Sequence, residues 1–362
     1  MQNLKDLYSS AFIKSLSGDI TKAQRGFNEQ DFTRAVFCKE WDDLSLKERM
    51  AHIRKVLFKH LNTDLSEAID ILVSCLKPGL ELEYLFVPDY IQAYGIEEFS
   101  LAMHGFEQST AYCSAEFGMR PFIEKYPTDS FKQLHIWSQS ANEHLRRLAS
   151  ECCRPLLPWG EQLKALRKDP TPILPLLNHL CDDPSEYVRR SVANNLNDIS
   201  KDHPALALSV AKEWCERSTI SKKTAKHGMR TLLKKGDQKA LALFGLQANA
   251  SLSQQDLILN SQSLEIGEKL DFSFAIINKS KEDILCRIEY RVYYVRKAKA
   301  YGSKIFKISQ KPIPPGKLVI NRKQHFKNLS TRKHYPGEHF IEIILNGKTF
   351  EKKSFYLQQE KP

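Results

Sequence analysis

The segments NEHLRRLASECCRP at 142–155 and SEYVRRSVANNLND at 185–198 are two versions of one helical phrase, 43 residues apart. Asn142 aligns with Ser185, Glu143 with Glu186, Leu145 with Val188, and Arg146–Arg147 with Arg189–Arg190. A spacing of ~40–47 residues belongs to stacked helix pairs of the HEAT and armadillo kind, in which each pair buries its apolar stripe only against its neighbours. A degenerate copy follows at 221–237 (SKKTAKHGMRTLLKKGD), and a weaker one precedes at 109–127 (STAYCSAEFGMRPFIEKYP). The repeat commits residues 1–248 to an α-solenoid of roughly five or six helix pairs, with residues 1–45 as a less regular cap.

Other stretches agree. KERMAHIRKVLFKHL sets Met50, Ile53, Val56, Leu57 and Leu61 on one stripe, and punctuators such as KPG (77–79), CDDPSE (181–186), KDHP (201–204) and KKGD (234–237) separate the helices. In CDDPSE, Asp183 or Ser185 can cap the next helix, with Pro184 in its first turn. Beyond residue 248 the period changes to two. Short alternating runs, among them CRIEYRVYYVR and HFIEIILNGKTF, are joined by the turn signals NKS, PPG, YPG and NG. Residues 249–362 therefore predict a β-sandwich of immunoglobulin type, without the Cys…Trp…Cys signature because Cys286 stands alone. The fold class is multidomain α + β, a HEAT-like solenoid followed by an immunoglobulin-like sandwich.

Charge separates the two parts further. Residues 251–362 carry 21 Lys and Arg against 11 Asp and Glu, whereas the first 250 carry 33 against 32. A basic domain on a neutral one points to a polyanionic partner, most simply nucleic acid. No run approaches the ~18 apolar residues of a membrane span, and no secretory signal opens the chain. Eight scattered cysteines without a CxxC pair indicate reduced thiols and no zinc site, so a cytoplasmic, nucleoid-associated monomer without metal or cofactor is expected.

Within the repeated phrase Val188, Val192, Leu196 and Ile199 form the apolar stripe, while Arg190, Asn194 and Asp198 step by four along a second, polar one. Arg147 and Glu151 take the equivalent places one repeat earlier, and Lys222, Lys226 and Arg230 one repeat later. Stacking sets Arg147, Arg190 and Lys226 in a row. Such a row suits either an inter-repeat ion-pair ladder, a phosphate-binding surface or a solvated face, and the basic C-terminal domain favours phosphate.

The phrases SAEFGMRPFIEKYP, ASECCRPLLPW and LLNHLCDDPSEYVRRSVANNLNDISKDHP resemble the bacterial DNA alkylation-repair glycosylases of HEAT-like repeats. They are most similar to the AlkC branch, whose members carry an added immunoglobulin-like domain with an ending like YPGEHFIEIILNGK. The resemblance implies removal of cationic N3-methylated bases, 3-methyladenine and 3-methylcytosine, from double-stranded DNA without a closed base-flipping pocket.

That chemistry needs no metal, because a cationic base is already a good leaving group. It needs carboxylates near the sugar, an aromatic face and a grip on the phosphates. The resemblance implies Glu116 and Asp198 as the carboxylates and Trp159, in RPLLPWG, as the aromatic, with Trp137 a weaker second. The structural alternatives are a salt bridge from Glu116 to Arg120, a helix-end or inter-repeat bond for Asp198, and a core-filling role for Trp159. Arg147 would hold the phosphate at the lesion, with Arg154, Arg190, Lys222 and Lys226 extending the grip. VRKAKAYGSKIFK (295–307), read as a loop, adds Arg296, Lys297, Lys299, Lys304 and Lys307 as groove contacts. His325, His334 and His339 read as strand or loop residues. The competing functions are a non-catalytic repeat scaffold and a non-specific DNA-binding protein; Glu116, Asp198 and Trp159 together favour the enzyme.

Overall fold

The computed structural model describes residues 4–297, 300–329 and 332–359. Compactness divides the chain into Met1–Gly228 and Met229–Pro362. The first unit is helical: α1 (Ser10–Ala23), α2 (Glu29–Val36), α3 (Leu46–Leu61), α4 (Leu65–Ser74), α5 (Phe86–Gly95), α6 (Phe99–Ser109) and α7 (Glu116–Lys125). It continues with α8 (Pro127–Ser138), α9 (Glu143–Cys152), α10 (Lys164–Lys168), α11 (Leu174–Leu180), α12 (Glu186–Asp202), α13 (Pro204–Arg217) and α14 (Thr219–Gly228). The N-terminal cap is thus itself helical.

The two copies of the phrase are α9 and α12, with Asn142 and Ser185 at their N-cap positions; the Asn142 side chain accepts from the His144 amide, whereas the Ser185 hydroxyl donates to Glu143. Val188, Val192, Leu196 and Ile199 are all buried. Small polar side chains let the two helices approach: Ser150 Oγ donates to Ser191 Oγ at 2.6 Å, and Asn195 Nδ2 to the Ser150 carbonyl at 2.9 Å. Pro184 precedes α12 instead of entering it, and Asp183 receives the Ser185 amide.

The double arginine has a divided role. In each copy the first arginine reaches back to two carbonyls ahead of its own helix. Arg146 Nη1 donates to Ser140 and Ala141, and Arg189 Nη1 to Asp183 and Pro184. These four carbonyls lie before the helix starts, where the intrahelical pattern offers no donor. Arg146 also grips both Asp183 oxygens, at 2.7 and 3.1 Å, tying one repeat to the next.

The third copy does not keep the register. The helix α14 ends at Gly228, where an added Cβ would sit 2.9 Å from the Leu196 side chain, so α14 lies too close to α12 for any larger residue. Arg230 opens a new helix, which breaks the stripe Lys222–Lys226–Arg230.

The second unit begins with two short helices, α15 (Arg230–Lys235) and α16 (Gln238–Leu243). The expected boundary at 248/249 falls between α16 and the first strand, whereas the compact division falls before α15. The reason is local: the Asn346–Gly347 turn, both residues at positive φ, lies against Gly236, and a Cβ on Gly347 would stand 2.5 Å from Leu241.

Eight strands follow: β1 (Leu252–Leu259), β2 (Ser263–Glu265), β3 (Lys269–Asn278), β4 (Ile284–Val295), β5 (Tyr301–Ile313), β6 (Gly316–His325), β7 (Gly337–Leu345) and β8 (Lys348–Gln358). They form a three-stranded sheet, β1-β3-β6, and a five-stranded sheet, β2-β8-β7-β4-β5. Phe272, Phe274, Ile288, Val292, Phe326, Ile341 and Ile343 fill the space between. The turns NKS, PPG, YPG and NG all fall at strand junctions, with Asn278 ending β3 and Gly316 and Gly337 opening β6 and β7. VRKAKAYGSKIFK is a loop only in part: Val295 ends β4, Arg296 and Lys297 follow it, and residues from Tyr301 onward belong to β5, paired to β4 through Val295–Tyr301. Between Glu289 and Glu338 the sequence holds thirteen Lys and Arg and no carboxylate, and β5 and β6 lie within that stretch.

Candidate active site

Glu116 opens α7, which is pressed against its neighbours at Gly118. A Cβ there would lie 2.7 Å from the Pro88 carbonyl and 2.8 Å from the Phe106 ring. This approach leaves Glu116 only 8% exposed. A buried carboxylate is costly unless it is paired. Arg147, from α9, supplies the partner, with Nη1 at 3.0 Å from Oε2 and Nη2 at 3.4 Å from Oε1. Nη1 also donates to Ser114 Oγ, and the guanidinium lies 5.4 Å from the Tyr187 ring centroid.

The pairing continues. Arg147 Nη2 is 3.6 Å from Glu151, Glu151 receives Arg154 Nη1 at 2.6 Å, and Arg154 Nε donates to Asp198 at 2.9 Å. Lys201 completes the series, 2.8 Å from the other Asp198 oxygen. Glu116, Arg147, Glu151, Arg154, Asp198 and Lys201 thus alternate in sign across α7, α9 and α12. Burial alone would lower the pKa of both arginines. Glu116 and Glu151 outweigh it for Arg147, Glu151 and Asp198 for Arg154, and both sit above their ordinary values.

Arg120 does not pair with Glu116. It donates instead to the carbonyls of Cys152 (2.8 Å), Arg154 (2.8 Å) and Glu161 (3.0 Å). It straps down the segment that carries Trp159. That residue sits at φ +66, a conformation uncommon for a bulky side chain, and Lys47 Nζ holds its carbonyl at 2.7 Å. Trp159 is 61% exposed, so it does not fill the core; Trp137 does.

The expected row of cations divides. Arg147 belongs to the ladder, and Arg154, expected along the DNA backbone, is only 6% exposed between two carboxylates. Forty-three residues beyond Glu116 stands Trp159, so Arg190 has no counterpart of the carboxylate that pairs with Arg147. Arg190 is exposed, lining a cleft with Glu186, Lys223 and His227. Lys222 is exposed and Lys226 half-buried. In the second unit Arg296 and Lys297 follow β4, Lys304 and Lys307 lie on β5, and Lys299 lies outside the described residues. Burial pushes the Lys304 and Lys307 ammonium groups below their ordinary range.

Sequence reasoning had Glu151 only as a polar stripe position and missed Lys201, Tyr187 and the Arg120 strap. The spacing of Glu151 four after Arg147 and three before Arg154 was the available signal. Among the described residues no group of three or more His, Cys, Asp or Glu could hold a metal ion, and no helix is long and apolar enough to cross a membrane.

Residues 102–231 match the family of DNA alkylation repair enzymes, and residues 253–359 match the C-terminal Ig-like domain of the uncharacterised protein YhaZ. The helical unit with its carboxylate–arginine ladder therefore falls in the class of DNA alkylation-repair proteins. YhaZ of Bacillus subtilis (strain 168) is 40% identical over 356 residues, 98% of this chain and 99% of that protein. The alkylpurine DNA glycosylase AlkC of Pseudomonas fluorescens, solved bound to DNA containing an abasic site analog, superposes with a TM-score of 0.94. It is 31% identical, over 99% of this chain and 100% of that one. The chain belongs to the AlkC-like family of bacterial alkylation-repair proteins.

Proposed function

We propose that the protein is a DNA glycosylase that hydrolyses the N-glycosidic bond of cationic N3-methylated bases, 3-methyladenine and 3-methylcytosine, in duplex DNA without drawing the base into a closed pocket. The observation that carries this reading is the pair of buried carboxylates, Glu116 and Asp198, at opposite parts of one ion-pair ladder. The likeness to AlkC bound to DNA supports the partner.

Departure of a cationic base leaves positive charge on the sugar, and preformed negative charge stabilises it. In the free protein each carboxylate is balanced by Arg147, Arg154 or Lys201. A phosphate drawing Arg147 or Lys201 toward itself would unbalance the ladder in favour of the carboxylates, at the moment the sugar arrives. Water oriented by a carboxylate completes the hydrolysis, and the exposed indole of Trp159 supplies an apolar face beside the strand. Incubating the protein with duplex oligonucleotides carrying 3-methyladenine should release free base above the spontaneous rate. Binding without release would leave a non-catalytic DNA-binding protein.

Arg190 tests the phosphate grip separately from the chemistry. Arg190→Ala should weaken binding to damaged and undamaged duplex alike and flatten the dependence of log affinity on log salt by about 0.9 per lost contact. An unchanged slope in fluorescence anisotropy would assign Arg190 to the solvated surface.

A further inference from the structure

Beneath Trp159 lies a cavity of about 380 Å³ that the ladder does not use. Phe117, Pro121 and Trp159 are among its apolar lining residues, and Tyr8, Asp89 and Gln92 among its polar ones. Tyr8 is 1% exposed, yet its hydroxyl makes no hydrogen bond among the described residues. A buried hydroxyl left unpaired is costly, because it has given up its water without a replacement. Asp89 gives one oxygen, Oδ2, to Arg54 at 2.8 Å, and Oδ1 makes no hydrogen bond among the described residues. Burial and the neighbouring Asp89 raise the Tyr8 phenol well above its ordinary range, so it is a neutral donor at any physiological pH. Trp159, held at positive φ by Lys47, keeps a large aromatic surface at the wall where a smaller, relaxed residue would serve a loop better.

Size and charge narrow the ligand. Pockets for small molecules run from about 300 to 1,000 Å³, and this one lies near the lower limit, which suits one or two fused rings and not a nucleotide. The two cationic side chains of the wall, Lys47 and Arg120, already donate to the carbonyls of Trp159 and Glu161. A phosphate would find no uncommitted partner there.

We propose that this cavity binds a free adenine-type base, packed against Trp159, with a ring nitrogen accepting from the Tyr8 hydroxyl and the exocyclic amine donating to Asp89. The choice of ring rests on the reaction proposed above, whose product is such a base; the cavity would hold it after release and away from the DNA. Tyr8 is a binding residue here and takes no part in bond cleavage.

The test uses the full chain without DNA. Trp159 is the exposed tryptophan, with Trp41, Trp137 and Trp214 all buried, so its quenching by acrylamide reports occupancy. Adenine and 3-methyladenine should bind saturably, measured by calorimetry, and protect Trp159 from the quencher. Tyr8→Phe removes only the unpaired hydroxyl, so the free protein should melt no lower than the parent. Its affinity for adenine should fall roughly tenfold, the worth of one neutral hydrogen bond, while toluene should bind both proteins equally. Absence of saturable binding up to about 10 mM base, or equal affinity of the parent and Tyr8→Phe for adenine, would overturn the assignment. Base excision proceeding while no free base binds would remove this site and leave the proposed reaction standing. Base binding without excision would do the reverse.

Discussion

Glu116→Gln is expected to lower single-turnover release of 3-methyladenine by about two to three orders of magnitude, the usual worth of one well-placed electrostatic group. The substitution keeps the shape of the side chain and an oxygen for Arg147, and Arg147 retains Glu151 as a second partner. What it removes is the negative charge. Affinity for duplex and melting temperature should therefore change little, and both should be recorded alongside the rate at saturating enzyme. Asp198→Asn should act in the same direction. Because the two carboxylates would serve one step, the double variant should fall less than the product of the single effects. A cationic base also departs spontaneously, so slow residual release is expected from every variant. Parental release by a folded Glu116→Gln protein would show that the catalytic carboxylate lies elsewhere.

The second large effect concerns the fold. Arg154→Met should cost about 3–5 kcal/mol, the penalty for breaking a buried ion pair by removing one partner. The lower end applies, because Asp198 keeps Lys201 and Glu151 keeps Arg147. At about 2–4 °C per kcal/mol for a unit of this size, the helical transition should drop by about 6–12 °C. The comparison is Arg167, which pairs with Asp202 at 2.6 Å with 43% of its side chain exposed. Arg167→Met should cost at most about 1 kcal/mol, since exposed pairs are screened and their side chains lose entropy. Thermal unfolding followed by calorimetry separates the two. Equal small losses would mean that the ladder contributes no more than surface charge does.

Much of this architecture could be read from residues close together in the chain. The stripe Val188, Val192, Leu196 and Ile199 announces both α12 and its buried face, and the repeat spacing announces that α9 lies beside it. The change to alternation after residue 248 announces the sandwich. The failures share a cause, which is distance in sequence. Arg147 meets Glu116 thirty-one residues away, so whether it faces a carboxylate or a phosphate is decided by where α7 lands. Arg120 spends its guanidinium on backbone carbonyls, and a carbonyl carries no signature in the sequence. The run SKIFKISQKPIPPGK at 303–317 announces most of strand β5, and its start, which reads as part of a loop over 295–307, is hidden for another reason. As a sheet edge it buries little, its lysines interrupt the alternation, and a bulge at Ile308 shifts its pairing with β4 by one residue.

The strap at Arg120 also has a mechanical meaning. One planar guanidinium holds carbonyls at 152, 154 and 161, and its backbone lies four residues from Glu116 on the same helix. Candidate carboxylate and indole are therefore coupled through a short, stiff linkage, although 43 residues separate them along the chain. Displacing α7 would carry both together and preserve their relative placement, whereas cutting the linkage would let the indole drift while the carboxylate stayed put. Fluctuations of the Trp159 segment should then follow those of α7 in amplitude and rate, making that segment as slow to exchange its amides as the helix that holds it.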